Sequence, residues 1–282
     1  MASMRDIKRR KSSIQSTGQI TKAMKLVSTV KLQKARVKAE QTKPYSDSMY
    51  QTVQSILERS ENIRHPFLQG GDSPRKAVIV ITSNRGLAGG YNSNVVKLIT
   101  QGELAEKDLD IYAVGRKGRE ALQRAGYHIK MECSDICEEP DYADAAALGR
   151  EVLDSFAKGE VGEIWLAYTW FKNTVVHEPR LMKLLPVARE EGEKKSEIPM
   201  NYEAEEESIL EMLIPKYMTS LIYGGLLEAV ASENGARMQA MDSATSNAEE
   251  MIDDLTLLYN RARQSSITQE LTEIIAGAQA IS

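Results

Sequence analysis

Both ends of this 282-residue chain have the composition of very long helices, and the two ends carry opposite charge. Residues 216–282 contain no proline, and one helix over this stretch, at about 1.5 Å per residue, would be roughly 100 Å long. A compact domain of this chain length would be only about 50 Å across, so we expect the helix to protrude. Residues 1–45 hold twelve Lys or Arg against two acids, and residues 203–282 hold four against fourteen. We therefore expect the two ends to attract each other.

Composition excludes several classes of protein. With 42% apolar and 27% charged residues, the chain can bury a core. Its longest apolar runs hold five residues, far fewer than the ~20 that cross a bilayer, and no apolar segment of a signal peptide follows Met1. We therefore expect a soluble, cytosolic or peripheral protein. Cys133 and Cys137 have no second cysteine pair, so reduced thiols are favoured over a disulfide framework or a zinc site.

The first helix is predicted over residues 1–60. Ser3 can cap it while Asp6 lies in its first turn, which is typical of a helix start. Its apolar residues form a narrow and imperfect stripe made of Ile7, Ile14, Ile20, Met24, Val27 and Val30. Pro44 should kink or end the helix, and a kinked continuation is favoured because the residues after it suit a helix.

The middle of the chain has the pattern of a compact α/β domain over residues 76–190, between linkers at 61–75 and 191–207. Strands are predicted at residues 77–82, 110–115, 127–131 and 163–171, and helices at 92–99, 116–125 and 141–158. This alternation predicts a Rossmann-like domain with a mostly parallel sheet. Residues 175–187 are expected to add edge strands.

The last helix is predicted over residues 208–282 and shows heptad spacing. Its first heptad series is Arg237, Met241, Ala244, Ala248, Met251, Leu255, Leu258 and Ala262. A second series follows from Ile267, and the step of five residues between the two breaks the register, so local unwinding or a change of partner is expected there. Small residues dominate the series, so a partner helix could approach closely.

Four sequence motifs carry a resemblance to a known family. Residues 267–280 match the pattern I-T-x-E-x-x-E-x-x-x-G-A-x-A at every fixed position, and residues 232–241 match S-E-x-x-A-R-M-x-A-M. Residues 20–24 (ITKAM) and 85–90 (RGLAGG) match two further motifs in the same order. The chain therefore resembles the gamma subunit of F-type ATP synthases along its whole length.

This resemblance implies a fold, a set of partners and a function. It implies a long antiparallel coiled coil of the two end helices, attached to the α/β domain. The coil would rotate inside a ring of three alpha and three beta subunits, and the opposite end would bind epsilon and the membrane c-ring. The chain would couple proton flow to ATP synthesis without catalysing a reaction. It would lie at the cytoplasmic face of a bacterial plasma membrane, and no cofactor or metal is expected.

The resemblance also implies contact residues. Met24 would lie beside the moving contact with the beta subunits, and Lys22 and Lys25 would add positive charge there. Arg237 lies in the heptad series, where its guanidinium needs an acceptor. The resemblance implies that Arg237 and Gln264 donate hydrogen bonds to a beta-subunit loop.

Other positions leave more than one interpretation open. For Arg263, Thr268 and Glu270, a plain helix surface is as good an interpretation as a contact role. Tyr202 and Glu203 resemble the start of a segment facing the c-ring or epsilon, although the family often has proline where this chain has Ala204.

Two other functions agree less well with the sequence. A nucleotide-dependent enzyme would need a phosphate loop, but residues 85–91 lack both G-x-G-x-x-G and G-K-[ST], so a tight βα turn is favoured. A nucleic-acid-binding protein could use the basic residues 1–45, but these have few aromatic neighbours and an acidic segment in the same chain. His65, His128 and His177 show no catalytic or metal-binding spacing, and no catalytic residue is predicted.

Overall fold

The computed structural model describes residues 4–59, 65–71, 73–104, 108–187 and 206–281. The chain divides into two compact units, one formed by Met1–Ser28 with Met238–Ser282 and the other by Thr29–Arg237. Helix α1 (Met4–Arg59) and helix α6 (Glu206–Ile281) contribute residues to both units. The predicted helix start at Ser3 and the predicted linker at 191–207, apart from its last two residues, lie outside the described residues.

The Thr29–Arg237 unit is built around a five-stranded sheet of order β3-β2-β1-β4-β5. The strands are β1 (Lys76–Ile81), β2 (Leu109–Val114), β3 (His128–Glu132), β4 (Glu163–Phe171) and β5 (His177–Leu185). The first four pair in parallel, with Lys76 opposite both Leu109 and Glu163 in the two ladders of β1. Strand β5 pairs antiparallel with β4 at one edge. The predicted mostly parallel sheet is confirmed.

Four shorter helices complete this unit: one precedes β1 and three connect the parallel strands. They are α2 (Pro66–Gln69), α3 (Tyr91–Thr100), α4 (Arg116–Arg124) and α5 (Tyr142–Ala157), with a 3-10 turn at Asp135–Cys137. The start of α5 is fixed by a capping box in which Asp141 and Asp144 bond each other's backbone amides. Each of the four predicted strands and three predicted helices therefore corresponds to an observed element, with ends shifted by at most two residues.

The sheet separates two buried clusters because its side chains alternate between its faces. Ile79, Ile81 and Leu166 face a cluster completed by α5 and α6. Val78 and Val80 face a second cluster completed by α3 and α4. Since β1 is covered on both faces, it is a continuous apolar run rather than an alternating one.

Helices α1 and α6 pack antiparallel in each unit. In the first unit Thr21 lies opposite Thr245, with 2.8 Å between their hydroxyl oxygens. In the second unit the hydroxyl oxygens of Ser46 and Ser220 are 2.9 Å apart. Pro44 lies inside α1, so the helix continues past it, as favoured from the sequence. The predicted antiparallel pair of terminal helices is confirmed.

The residues that form the contact between the two helices differ in part from the prediction. Ile7, Thr21 and Ser28 are buried and recur on a seven-residue grid in α1, and Met241, Ala248 and Leu255 are buried every seven residues in α6. The apolar residues predicted beside them are instead exposed, by 42% to 58%: Ile20, Val27, Val30, Met251 and Leu258. In α1 the contact is formed instead by the small residues Thr21 and Ser28, which allow the two helices to approach closely, and Thr21 also bonds Thr245 across the contact.

Local unwinding, one of the two outcomes expected after Ala262, does not occur, because α6 is a continuous helix from Glu206 to Ile281. The half-buried positions continue from Ile252 through Tyr259 and Ala262 to Ser266 at steps of seven, three and four residues. In the second series Ile267, Leu271 and Ile274 are exposed, so a change of partner there stays a prediction.

Candidate functional site

The contact between α1 and α6 in the first unit is narrow and polar. An added Cβ on Gly18 would lie 3.4 Å from the Cβ of Ala248, so the two backbones are close there. One helical turn further along α1, Thr21 meets Thr245. Lys25 Nζ then lies 2.5 Å from Asp242 Oδ1. Because small residues fill the contact, most of the larger side chains in this part of α1 point outward.

Met24, Lys22 and Lys25 lie together on α1 but differ in exposure. Met24 is half-buried beside the contact, and Lys22 is exposed. The side chain of Lys25 is 39% exposed and pairs with Asp242, which is 58% exposed. A pair this exposed contributes about 0–1 kcal/mol, so it orients Lys25 more than it stabilises the fold. Asp242 was missed in the sequence because nothing local connects residues 217 positions apart.

The four predicted contact residues near the end of α6 are all exposed. They are Arg263, Gln264, Thr268 and Glu270. Thr268 Oγ1 donates to the backbone carbonyl of Gln264 at 2.9 Å. Ser266 Oγ lies 3.5 Å from Glu270 Oε1. These side chains are accessible to a second molecule.

The end of α6 also exposes a set of large apolar side chains. Ile267, Leu271, Ile274 and Ile275 are 44% to 67% exposed. The register that pairs Thr21 with Thr245 brings Met4 opposite Ala262, so the described part of α1 ends before this segment. The apolar face formed by these four residues is therefore not covered by the described part of α1. Such an apolar face is typical of a surface that binds another molecule.

Arg237 has its acceptor within the chain, in the Thr29–Arg237 unit. Its Nη2 donates to Glu233 Oε1 at 2.6 Å and to the backbone carbonyl of Gly86 at 3.4 Å. The two side chains are only 11% and 10% exposed. Burial raises the pKa of Glu233, and the charge and hydrogen bond of Arg237 oppose this shift. The predicted need for a polar acceptor is met by Glu233, whose i,i+4 spacing from Arg237 was a usable signal in the sequence.

A second ion pair lies close to the same loop. Lys31 Nζ donates to Glu138 Oε2 at 2.8 Å, and Arg85 Nε lies 3.7 Å from Glu138 Oε1. The hydrogen bond from Lys31 lowers the pKa of Glu138. Together these contacts attach the loop after β1 to helices α1 and α6.

The loop after β1 lies where nucleotide phosphates bind in many α/β folds, at the carboxyl end of a central strand. In this chain, hydrogen bonds within the loop and to the following helix hold the loop in place. Ser83 Oγ donates to the Arg85 carbonyl at 2.6 Å, and the Ser83 amide donates to Asn92 Oδ1 at 2.9 Å. Tyr91 is buried where a helix amino terminus would meet a phosphate. Its pKa is raised well above its usual value, first by burial and then by the negative charge of Glu233. The groups of this loop bond one another and a buried tyrosine begins the helix, which agrees with a tight βα turn.

The three histidines have structural surroundings. His65 Nδ1 accepts from the Phe67 amide at 3.2 Å and caps α2. His128 Nδ1 lies 3.0 Å from the buried Asp110 carboxylate. His177 packs against Gly235, where an added Cβ would lie 2.5 Å from its Nε2. Among the described residues, no group of three His, Cys, Asp or Glu could hold a metal ion.

The two cysteines are free. Burial, followed by the nearby charge of Glu233, raises the pKa of Cys137 to about 12. Burial also raises the pKa of Cys133. Since the thiolate is the reactive form, both groups are poor nucleophiles near neutral pH. Within the described part of the chain, every helix is too short or too polar to cross a membrane. Tyr202 and Glu203 lie outside the described residues.

Comparison with known proteins identifies relatives along the full chain. A family model described as ATP synthase matches residues 3–281. An ATP synthase gamma chain from Lachnoclostridium phytofermentans is 66% identical over 290 residues, which covers all of both chains. A gamma chain from Acetobacterium woodii, described as sodium ion specific, is 42% identical and covers 99% of this chain and 98% of its own length.

Solved structures match the fold as well. A chain from the central stalk and c-ring structure of the Tetrahymena thermophila mitochondrial ATP synthase is 26% identical with a TM-score of 0.61, over 80% of this chain and 99% of that one. A chain from the Euglena gracilis mitochondrial enzyme is 18% identical with a TM-score of 0.68, over 99% of this chain and 94% of that one. Since both the family model and close relatives cover essentially every residue, this chain belongs to the ATP synthase gamma-chain family.

Proposed function

We propose that this chain is the central-stalk rotor subunit of an F-type ATP synthase, and that it transmits rotation without catalysing a reaction. The observation that supports this best is the end of α6, where Ile267, Leu271, Ile274 and Ile275 are exposed beyond the contact with α1. This segment needs a surrounding surface, and in the proposed assembly a ring of three alpha and three beta subunits supplies it. The C-terminal tip, residues 276–282, consists mostly of small and weakly polar residues, which suits a sliding contact better than a locked one.

The proposed position in the complex assigns the remaining partners. We place the chain at the cytoplasmic face of a bacterial plasma membrane, with epsilon and the c-ring bound near Tyr202 and Glu203. We propose protons as the coupled ion. Because the relative from Acetobacterium woodii is described as sodium ion specific, ion transport must be measured on this complex itself. Sodium-dependent ATP hydrolysis would contradict the proposed proton coupling without affecting the rotor role.

The proposed mechanism is differential binding. A rotor that is not symmetric presents different side chains to each of three beta subunits, so each orientation favours a different conformation of each subunit. Changing one subunit from a 1:99 to a 99:1 mixture requires about 5.5 kcal/mol of differential interaction. Several exposed contacts can supply this together, so each one should be partly dispensable.

The proposed contacts with beta subunits fall in two groups. Met24, Lys22 and Lys25 form one group on α1, where the Lys25–Asp242 pair holds one charge in place. The other group is the exposed set Arg263, Gln264, Thr268 and Glu270 on α6. Arg237 already donates to Glu233 and to the Gly86 carbonyl. A beta-subunit loop would therefore have to displace these acceptors or bind a free N–H of the same guanidinium.

Reconstitution tests the rotor role directly. The purified full chain should not hydrolyse ATP alone, and adding it to alpha and beta subunits should produce a stable complex with a changed hydrolysis rate. A version shortened after residue 266 is the control for the exposed end of α6. It should still co-purify, because the paired helices remain, but its torque and complex stability should fall. ATP hydrolysis by the isolated chain, or no association with alpha and beta, would contradict the proposal.

Substitution of Met24 separates coupling from folding. Met24→Lys adds a charge next to Lys25 at a half-buried position. We expect the complex to pump fewer ions per ATP hydrolysed, while the isolated chain stays folded. Met24→Leu keeps the size and polarity and should leave coupling unchanged. Equal coupling in both variants would remove Met24 from the proposed contact.

A further inference from the structure

A cleft of about 620 Å³ lies in the Thr29–Arg237 unit, between α1, α6 and the β4–β5 hairpin. Its apolar lining includes Tyr168, Trp170, Met182, Leu221 and Leu227. This volume is in the range of small-molecule sites, which are mostly apolar with a few well-placed polar groups. The role proposed above for the exposed helix surfaces does not use this cleft.

The cleft contains one carboxylate that lacks a full set of partners. Glu228 Oε2 is buried and has no hydrogen-bond partner among the described residues. Burial raises the pKa of Glu228 to about 7, although the charges of Arg180 and Lys43 act in the opposite direction. A buried acceptor without a hydrogen bond destabilises the folded chain, so a ligand that donates a hydrogen bond to Glu228 Oε2 would remove this penalty.

A glycine keeps space open beside this carboxylate. Gly224 lines the cleft in the interior of α6, one turn before Glu228. An added Cβ there would meet no atom within 4 Å, so packing does not require glycine. Glycine in a helix interior costs roughly 1 kcal/mol relative to alanine. The next residue differs, since an added Cβ on Gly225 would lie 2.9 Å from Leu166 Cδ2. Gly225 is explained by packing, whereas Gly224 contributes only open volume.

The other charged groups of the cleft have mixed signs. They are Arg36, Glu40, Lys43, Asp47 and Lys172 in the lining, with Arg180 nearby. Arg36 Nε bonds Glu40 Oε1 at 2.8 Å, and the Arg180 guanidinium lies 3.5 Å from the centre of the Trp170 ring. Lys172 Nζ also lies 3.6 Å from Glu178 Oε1, so three of the four cations are engaged. Glu228 Oε2 remains a buried polar atom with no hydrogen-bond partner among the described residues.

We propose that this cleft binds a small organic cation, whose ammonium group donates to Glu228 and whose apolar part fills the space beside Gly224. Such a pair is a charge-assisted hydrogen bond shielded from water, which is the strong kind. Binding favours the ionised carboxylate, so affinity should fall as the pH drops through about 7 and Glu228 takes up a proton. Burial raises the pKa of Tyr168 to about 12, so it stays neutral over this range.

Calorimetric titration of the purified full chain with 2-phenylethylammonium at pH 8 tests the site. Neutral 2-phenylethanol has a similar shape and is the control ligand. We expect the cation to bind measurably and more tightly than the alcohol. Glu228→Gln keeps the shape but removes the charge, so it should weaken cation binding about tenfold or more. Gly224→Leu should fill the space and abolish binding of both ligands.

Two results would overturn the proposal. One is the absence of cation binding to the wild-type chain, and the other is equal affinity of the wild type and Glu228→Gln for the cation. Circular dichroism verifies that each variant is folded. If Gly224→Leu does not fold, the comparison of Glu228→Gln with the wild type still decides the outcome.

Discussion

The buried Glu233–Arg237 pair makes a quantitative prediction about the isolated chain. The two side chains are 10% and 11% exposed, and Nη2 and Oε1 are 2.6 Å apart. Removing one partner from such a pair leaves a buried charge and typically costs roughly 3–5 kcal/mol. We therefore expect Arg237→Met to lower the free energy of unfolding by about 3 kcal/mol, before any beta subunit is present.

The chain offers a matched control with the same spacing. Arg36 and Glu40 are also four residues apart on a helix and bond at 2.8 Å, but both side chains are 62% exposed. A pair this exposed contributes about 0.3–0.5 kcal/mol. Arg36→Met should therefore change stability by less than about 1 kcal/mol.

A double-mutant cycle in urea unfolding measures both pairs. Glu233→Gln, Arg237→Met and the double variant should give a coupling energy of about 2–3 kcal/mol, and the Arg36–Glu40 cycle should give less than about 0.5 kcal/mol. Equal small couplings would refute the intramolecular pair. In that case Arg237 would act only through a partner subunit, as the sequence resemblance alone implied.

The pH dependence of Arg237→Met gives a second measurement of the same pair. Burial already raises the pKa of Glu233, and loss of the guanidinium should raise it further. A folded-state pKa above the unfolded value means that the folded state binds more protons, so stability rises as the pH falls. The loss caused by Arg237→Met should therefore shrink toward acid pH. A constant loss between pH 8 and pH 5 would contradict this explanation.

Three further perturbations test the packing and the buried ionisable groups. Gly235→Ala should destabilise the chain by about 1–3 kcal/mol, since the new Cβ would lie 2.5 Å from His177 Nε2. Gly277→Ala is the control: its new Cβ would meet no atom within 4 Å, so it should stabilise α6 by up to about 1 kcal/mol. Thermal unfolding that ranks the two variants equally would contradict the close contact. Glu228→Gln should stabilise the chain by about 2–3 kcal/mol at pH 8, because the pKa of Glu228 is raised to about 7. The gain should shrink as the pH falls through 7 and vanish only below the unfolded value of 4.5. Burial lowers the pKa of His177, so the wild type should lose stability relative to His177→Phe as the pH drops below about 6.5. Urea unfolding measures this difference, and a difference that does not change with pH would contradict the effect of burial on His177.

Local patterns in the sequence were sufficient for the secondary structure of the α/β unit. Strands such as Lys76–Ile81 are short apolar runs bounded by turn residues, and both features are local. The motifs at residues 232–241 and 267–280 are sufficient on their own to indicate the family. The positions of the contact residues on α6 also followed from the motifs, although their contacts with beta subunits remain predictions.

The contact between α1 and α6 could be predicted only in part. Periodicity placed Met241, Ala248 and Leu255 correctly, but hydrophobicity also selected Met251 and Leu258, which are exposed. A sequence pattern ranks residues by apolarity, whereas two closely spaced helices select small residues that bond across the contact.

The order of helices and strands, the family and the long terminal helices could be predicted from the sequence, because these features depend on residues that are neighbours along the chain. Which distant groups meet became known only from the folded chain. It paired Lys25 with Asp242, placed Gly86 against Arg237 and left Glu228 Oε2 unpartnered in a cleft between two helices and a hairpin. These pairings, and the pKa shifts that follow from them, depend on burial and on the close approach of residues that are far apart in sequence. The spacing of neighbouring residues predicts neither the burial nor the approach.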